Sequence, residues 1–543
     1  MTSTTDPLRR YGLPSGLEDL PASVPAALQR RLGNGADPLV IGVDFRLTFA
    51  EADSQSAELA GRLLASGIGK GTRVGLLFAN GPAWAVTWLA LARIGALTVP
   101  LSTFAPGAEL ARMVRQTDIH ALLMGATFGS ERMTTRLESG LAGLARSPAD
   151  LQLEEAPFLR WVRVEGQKPP SWSRALPDPL PAPLVRAAES EVTPADALAI
   201  INTSGATAAP KSVLHTHGSL VRHAALLAER RGLTREDRIF SPMPFFWVGG
   251  LTMVLLAALV SGAASVVQER FEPGEALDLI ERERVTQVSC WPNASRQMAD
   301  HATFAGRDLR SVRGGTLVEA LPPEYRPPTG NRAPNVLGMT ETGGPHTGPD
   351  DAYAVLPESL RGTMGHSLPG MEHVVVDVGT GAELPTGEEG ELLLRGAFLM
   401  DGFYKRERHE TFTPDGWYAT GDLGWFGADG YLRFSGRRTA MIKTGGSNVS
   451  PAEVETALMD LPAVREAFVF GIPAGERGED VAAVVVPQGP DAVEPTALSR
   501  SLRDVLSSYK IPRHLRIVEE SDVPKLPTGK ADLASLRELF TGA

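Results

Sequence analysis

The sequence predicts an α/β protein: a large N-terminal unit of layered, mostly parallel sheets and helices with a small β subdomain, then a small α+β unit. Three observations carry this. Apolar residues alternate between helical and strand spacing over residues 46–100, which implies a largely parallel sheet with helices on its faces. After residue 370 the apolar runs shorten and are separated by turns rich in Gly and Asp, the mark of a small antiparallel unit. From about residue 440 helices and strands alternate in a compact α+β pattern, and a boundary is expected near 436–440.

The elements follow in order. EADSQSAELAGRLLASG has helical spacing and a stop at Gly67. TRVGLLF (72–78) reads as a buried strand, PAWAVTWLALARIG as a helix and ALTVPL as the next strand. The proline-rich stretch 165–185 reads as an extended surface connector, and ADALAIINTSG (195–205) as an apolar strand. GGLTMVLLAALVSGAASVV (249–267) carries no charge, but its glycines, small residues and uncharged flanks favour a buried helix and strand over a membrane span. MEHVVVDV, GELLLRG and GYLRFSG read as strands of the subdomain. Beyond them come PAEVETALMDL as helix, VREAFVFGI and DVAAVVVP as strands, and LSRSLRDVL as helix.

Composition excludes several classes. With 543 residues the chain exceeds the size at which one core stops growing, and 43% hydrophobic and 22% charged residues describe a globular protein. A net charge of −11 without a basic block argues against nucleic-acid binding. Cys290 is the single cysteine, so no intrachain disulfide can form, which fits a reducing, cytoplasmic setting; it reads as a core residue. Arg9 and Arg10 are followed by no apolar stretch, so neither a signal peptide nor a twin-arginine leader is expected.

The chemistry-bearing stretches begin at TSGATAAPKS (203–212), a near miss to the Walker phosphate loop with Pro210 in place of its second glycine. Thr203, Ser204 and Thr207 offer hydroxyls, Gly205 permits close backbone approach, and Lys211 brings positive charge. Pro210 removes a backbone donor, so the loop does not wrap a phosphate in the Walker manner. Taken alone, a plain polar turn explains it as well as a phosphate loop does. LGMTETGG (337–344) holds Thr340 and Glu341, and WYATGDLG (417–424) holds Asp422. SGRRTAMIKTGGSNVSPAEVE (435–455) holds Arg437, Lys443, Gly445 and Gly446, and LPTGKAD (526–532) holds Lys530.

In order and spacing these stretches resemble the adenylate-forming superfamily of acyl-CoA synthetases, adenylation domains and luciferases, from about residue 40 to 535. TSGATAAPK resembles TSG[ST]TGxPKG, PFFWVGGL resembles PLFHxxGL, and GGTLVE resembles GGAPL. LGMTE matches YGxTE, YATGD matches YxTGD, and GRRTAMIK with GGSNVSPAEVE matches GRxxDxIKxxGxxVxPxEIE. GIPAGERGEDVAAVVV and the closing PTGK complete the series.

The resemblance implies residues 1–437 as an ATP- and acyl-binding domain and 438–543 as a mobile domain carrying a catalytic lysine. It implies that Thr203, Ser204, Gly205, Thr207 and Lys211 cover the β- and γ-phosphates of ATP. Thr340 would contact the α-phosphate region and Glu341 would hold Mg²⁺. Asp422 would accept from the ribose hydroxyls, and Arg437 would lie beside ribose and phosphate. Gly315, Thr316 and Leu337 would lie at the nucleotide, and Gly314, Trp247, Val248 and Gly249 at the acyl pocket. Lys530 would bridge the substrate carboxylate and the α-phosphate. After rotation of the small domain, Lys443 and the Gly445–Gly446 segment would arrive and admit the pantetheine arm of coenzyme A.

Four departures stand out. Ala206, Ala208 and Ser212 replace a hydroxyl residue and two glycines of the family loop. Leu337 stands where an aromatic ring is usual beside adenine. Thr439 and Ala440 occupy the hinge, and Trp247 stands where His is common. His217 also matches a family position, with a structural role and a substrate contact both open. The expected activity is an ATP- and Mg²⁺-dependent ligation of a fatty or aryl acid to coenzyme A. Delivery to a carrier-protein thiol or an amine is the alternative, and a binding protein that has lost catalysis is the reading from another class. Oligomeric state, homodimer included, stays open.

Overall fold

The computed structural model describes residues 23–203, 211–326, 336–349, 357, 360, 362–437, 441–489, 494–524 and 531–541. Its centre is a helical layer between two sheets. The seven-stranded sheet has the order 402–403, 211–216, 197–203, 97–100, 73–77, 121–125, 161–165. Its last five strands run parallel, and Lys211–Thr216 returns antiparallel beside Ala197–Thr203. The six-stranded sheet has the order 314–315, 287–288, 238–241, 264–267, 38–41, 46–48, parallel except for its last pair. Strands covered on both faces are mostly apolar, and Leu97–Pro100 and Ala264–Val267 are buried at every position, with Thr98 and Ser265 their small polar residues.

The helices between the sheets form where the spacing predicts. Phe49–Ala65 starts at a capping box: the Thr48 hydroxyl accepts from Glu51 N at 3.2 Å, and the Glu51 carboxylate accepts from Thr48 N at 2.9 Å. Gly67 follows with φ +83°. Pro82–Arg93 buries Trp84 and Trp88, and Trp84 packs on Phe245 with centroids 5.2 Å apart. The uncharged stretch 249–267 is a buried helix and strand, as expected. Its middle, Leu251–Leu256, is π-helical, and Ala257–Ser261 ends at Gly262 with φ +86°. Among the described residues no helix is long and apolar enough to cross a membrane.

The proline-rich stretch 165–185 is less free than an extended connector. Trp172 is buried and donates its indole N–H to Glu138 at 2.8 Å, and the helix Ala182–Ser190 begins inside it, with Pro at its start. Proline at the first helical position costs no hydrogen bond, so a proline-rich run does not exclude a helix beginning there.

The β subdomain is a four-stranded antiparallel sheet in the order 371–376, 390–396, 418–426, 432–437. The C-terminal unit has a hairpin, Ile442–Thr444 with Ser447–Val449, and a three-stranded sheet of Val464–Pro473, Glu479–Pro487 and His514–Ile517. Helices Pro451–Met459, Pro495–Leu502 and Leu533–Thr541 pack with it. Its core draws only on residues 442–540, whereas the other buried clusters draw only on residues 24–434.

Candidate active site

A cavity of about 480 Å³ lies where the seven-stranded sheet, the β subdomain and the C-terminal hairpin meet. Thr203 and Lys211, register partners on adjacent antiparallel strands, form one wall. Between them Ser204, Gly205, Thr207 and Pro210 lie outside the described residues, as does Lys530.

Thr340 and Glu341 also line the cavity, on a tight turn that several contacts hold. Gly338–Met339 pairs antiparallel with Gly344–Pro345, and Gly343 closes the turn at φ +68°. At that φ glycine is favoured, and a Cβ on Gly343 would also come within 2.5 Å of the Leu220 side chain. The Thr342 hydroxyl bonds the Gly344 carbonyl at 2.7 Å, His215 donates to the Thr340 carbonyl at 2.7 Å, and His223 donates to the Pro345 carbonyl at 2.8 Å. Glu341 is buried, and its Oε1 accepts from the Tyr418 hydroxyl at 3.1 Å. Among the described residues no group of three His, Cys, Asp or Glu could hold a metal ion. Glu341 is one of three carboxylates on the cavity wall, with Glu109 and Glu391, and one such group suits Mg²⁺, a cation bound through one or two carboxylates plus phosphate oxygens and water.

Thr420 and Gly421 reach the cavity from the strand Tyr418–Phe426, and Asp422 beside them is buried, 1% exposed. The Thr420 hydroxyl accepts from Asp422 N at 2.9 Å and donates to the Leu392 carbonyl at 2.7 Å, while Gly421 N donates to Glu391 at 3.1 Å. Asp422 and Arg437 are register partners on neighbouring strands. The apolar wall is Met243, Trp247, Val248, Gly249 and Trp291. Trp247 is half-buried within an aromatic cluster, 5.8 Å from Trp291 and 6.3 Å from Tyr509 between ring centroids.

The hairpin of the C-terminal unit closes the cavity. Gly446 lines it together with Ser447 and Asn448, while Gly445 faces a wider groove of about 1280 Å³ between the two units. Trp247, Trp291, Ser447 and Tyr509 belong to both spaces, so the groove and the cavity share one aromatic partition. Arg270, Arg503 and Arg513 lie along the groove.

Other candidates lie off the cavity wall. Gly314 and Gly315 form an edge strand whose backbone lies against Gln287 and Val288, and Thr316 accepts from Ser295 at 2.8 Å and lies 3.1 Å from Cys290. Burial raises the Cys290 thiol above its ordinary range, as suits a core residue. Leu337 packs with Val375, Leu392 and Leu432. Lys443 donates its backbone N–H to Glu479 at 2.8 Å and holds its ammonium 5.1 Å over the Phe434 ring. His217 is buried and accepts from Val24 N at 3.2 Å, a structural bond. Burial holds His215, His217 and His223 near a pKa of about 4, so all three are neutral at pH 7.

Sequence reasoning passed over Tyr418, Trp291 and Glu391. Tyr418 opens the YATGD motif and was legible there; Trp291 and Glu391 reach the cavity only through the fold.

The chain matches the family model described as AMP-binding enzyme over residues 29–404, and the AMP-binding enzyme C-terminal domain over 453–530. Indoleacetate–CoA ligase of Aromatoleum aromaticum is 30% identical over 91% of this chain and 94% of its own. Feruloyl-CoA synthase of an Amycolatopsis species is 31% identical over the same shares, 91% and 94%. Among solved structures, the amide bond synthetase McbA from Marinactinospora thermotolerans superposes with a TM-score of 0.78 at 27% identity, covering 94% of this chain and 99% of that one.

Proposed function

The chain belongs to the AMP-binding enzyme family, and from that premise we propose that it is an AMP-forming acid–CoA ligase acting on an aryl or fatty acid. The observation that carries the acceptor is the arginine-bearing groove that shares its aromatic partition with the cavity. A phosphate-bearing thiol substrate needs cationic groups outside and a narrow way in, and Arg270, Arg503 and Arg513 with the Gly445–Gly446 turn supply both. The similarity to indoleacetate–CoA ligase and feruloyl-CoA synthase supports the same acceptor.

In this reading the acid lies against Met243, Trp247, Val248 and Gly249. The compact aromatic wall favours a flat aryl acid over a long chain, because the same 480 Å³ also takes the adenylate. Thr203, Lys211 and the 204–210 loop orient the triphosphate, with Gly205 giving room for close approach. Thr340 donates at the α-phosphate, and Asp422 accepts from the ribose hydroxyls through two oxygens. Glu341 would hold Mg²⁺, which neutralises charge on the departing pyrophosphate. Lys530 offsets the repulsion between carboxylate and α-phosphate, so that the carboxylate oxygen bonds to phosphorus as the bond to pyrophosphate breaks. Residues 438–543 then turn as a body, and in the second half the coenzyme A sulfur bonds to the acyl carbon, AMP leaves, and the thiol proton passes to solvent. The cytoplasm is the setting proposed, in keeping with a single buried thiol.

Transfer to an amine is the second reading, favoured by the likeness to amide bond synthetase McbA. Acid-dependent AMP formation across a panel of aryl and fatty acids, with coenzyme A or an amine, tests both. Thioester with coenzyme A supports the ligase; adenylate that reacts only with amines supports the second reading, and ADP as product overturns both.

A further inference from the structure

The two units meet through four charges at the edge of the cavity, where Glu109 and Lys510 reach its wall and Arg112 and Glu453 lie behind them. Glu109 and Arg112 lie three residues apart on the helix Gly107–Gln116 of the large unit. Lys510 and Glu453 belong to the C-terminal unit, at the end of Ser508–Lys510 and on Pro451–Met459. Lys510 Nζ is 2.8 Å from Glu109 and 3.1 Å from Glu453, and Arg112 is 3.1 Å from Glu453. The Ser507 hydroxyl also donates to Glu109, at 2.6 Å. Glu109, Glu453 and Lys510 are each 6% exposed or less.

Burial pushes the Glu109 carboxyl up, but Lys510, Ser507 and Arg112 more than reverse it and hold it below the ordinary range. Burial likewise works against the Lys510 charge, and Tyr509, Glu109 and Glu453 outweigh it. The charges divide evenly: each unit contributes one cation and one anion. When the units part, Lys510 keeps Glu453, and Glu109 keeps Arg112 one helical turn away. Stranding a buried charge is what makes most buried pairs costly to break, and this arrangement strands none. A contact of that kind suits a surface that must dock and release in every catalytic cycle.

We infer that Glu109, Arg112, Glu453, Ser507 and Lys510 are positioning residues that dock the C-terminal unit in the orientation that turns Gly446 toward the cavity, and so serve the acyl-transfer half of the reaction. This rests on the acid–CoA ligase reading for its second half only. Docking brings Tyr509, next to Lys510, against Trp247, and sets the hairpin against Trp291. The network therefore places the aromatic partition between groove and cavity as well as the turn.

The test uses the full chain and two readouts. Arg296 and Glu476, which pair across the units at 3.1 Å on the surface, are changed together to cysteine, and cross-linking by a short bismaleimide reports docking. Acid-dependent pyrophosphate release and single-turnover thioester formation are measured separately. Glu109→Gln, which keeps shape and removes charge, is expected to lower the cross-linking rate and slow thioester formation by about tenfold or more. Arg112→Met, at a partly exposed position, should act in the same direction with a smaller loss. Because Glu109 reaches the cavity wall, the pyrophosphate readout is taken on Arg112→Met, off that wall, where release should stay within about twofold, given that adenylation uses the other domain orientation. Unchanged cross-linking, unchanged thioester formation, or equal loss of both half-reactions overturns the inference. If the unaltered chain forms adenylate but no thioester, the coenzyme A reading fails, and the cross-linking rate alone then decides the docking role.

Discussion

Replacing Gly446 by alanine should separate the two halves of the reaction. Gly445 and Gly446 form the two-residue turn of the hairpin, with φ +55° and +86°, the left-handed pair that such turns require. Any Cβ at either position costs about 1–2 kcal/mol of backbone strain, whatever the orientation of the unit. The two sites differ in what the methyl meets. At Gly445 nothing lies within 4 Å, whereas at Gly446 the methyl would come within 2.5–2.7 Å of three Trp291 ring atoms, the nearest at 2.5 Å. That clash exists only while the hairpin is docked. Overpacking of this kind costs about 1–3 kcal/mol, which lowers a docked population about 5- to 150-fold. Single-turnover thioester formation in Gly446→Ala should fall by that factor, with acid-dependent pyrophosphate release nearly unchanged. Gly445→Ala should lose similar thermal stability but keep most of its thioester rate. Equal effects of the two substitutions on thioester formation, or none from Gly446→Ala, would refute the reasoning.

Three further outcomes are expected. Lys530→Ala should cut acid-dependent pyrophosphate release by about 10²–10³-fold, the loss typical of one preorganised charge-stabilising group, with the melting temperature unchanged; near-normal release would remove Lys530 from the reaction. Glu341→Gln should raise the Mg²⁺ concentration needed for half-maximal rate, read from a magnesium titration at fixed ATP, and an unshifted titration would dismiss Glu341 as its ligand. Stability should fall as pH drops from about 6.5 toward 4, because burial holds His215, His223 and His373 at pKa values of about 4. Their folded values lie below the unfolded one, so the unfolded chain takes up protons first; the contribution is full above pH 6.5 and lost on acidification. Urea midpoints between pH 7 and 5 should show this slope, and His223→Gln, which keeps a donor for the Pro345 carbonyl, should flatten it.

How much of the site could be read in the sequence follows from how local its chemistry is. Thr340 and Glu341 share one tight turn, and Thr420, Gly421 and Asp422 share one strand, so contiguous residues carry their identity and their placement together. Gly314, Gly315 and Thr316 were assigned to nucleotide and acid by pattern alone. The structure sets Gly314 and Gly315 on an edge strand, where Gly315, at φ +94°, lies against the Val288 carbonyl too closely for a side chain. Trp172 shows the same limit on the fold: a proline-rich stretch reads as surface, yet one indole is buried and bonded to Glu138.

By itself the sequence determined the class of the fold, the order of its elements and the family, because periodicity, turn residues and short motifs are local properties of the chain. The tertiary structure alone decided how the two units face each other. Trp247 against Tyr509, and Glu109 with Lys510, join segments hundreds of residues apart. Nothing local distinguishes Lys510 from a surface lysine; burial between two carboxylates does, and burial belongs to the fold.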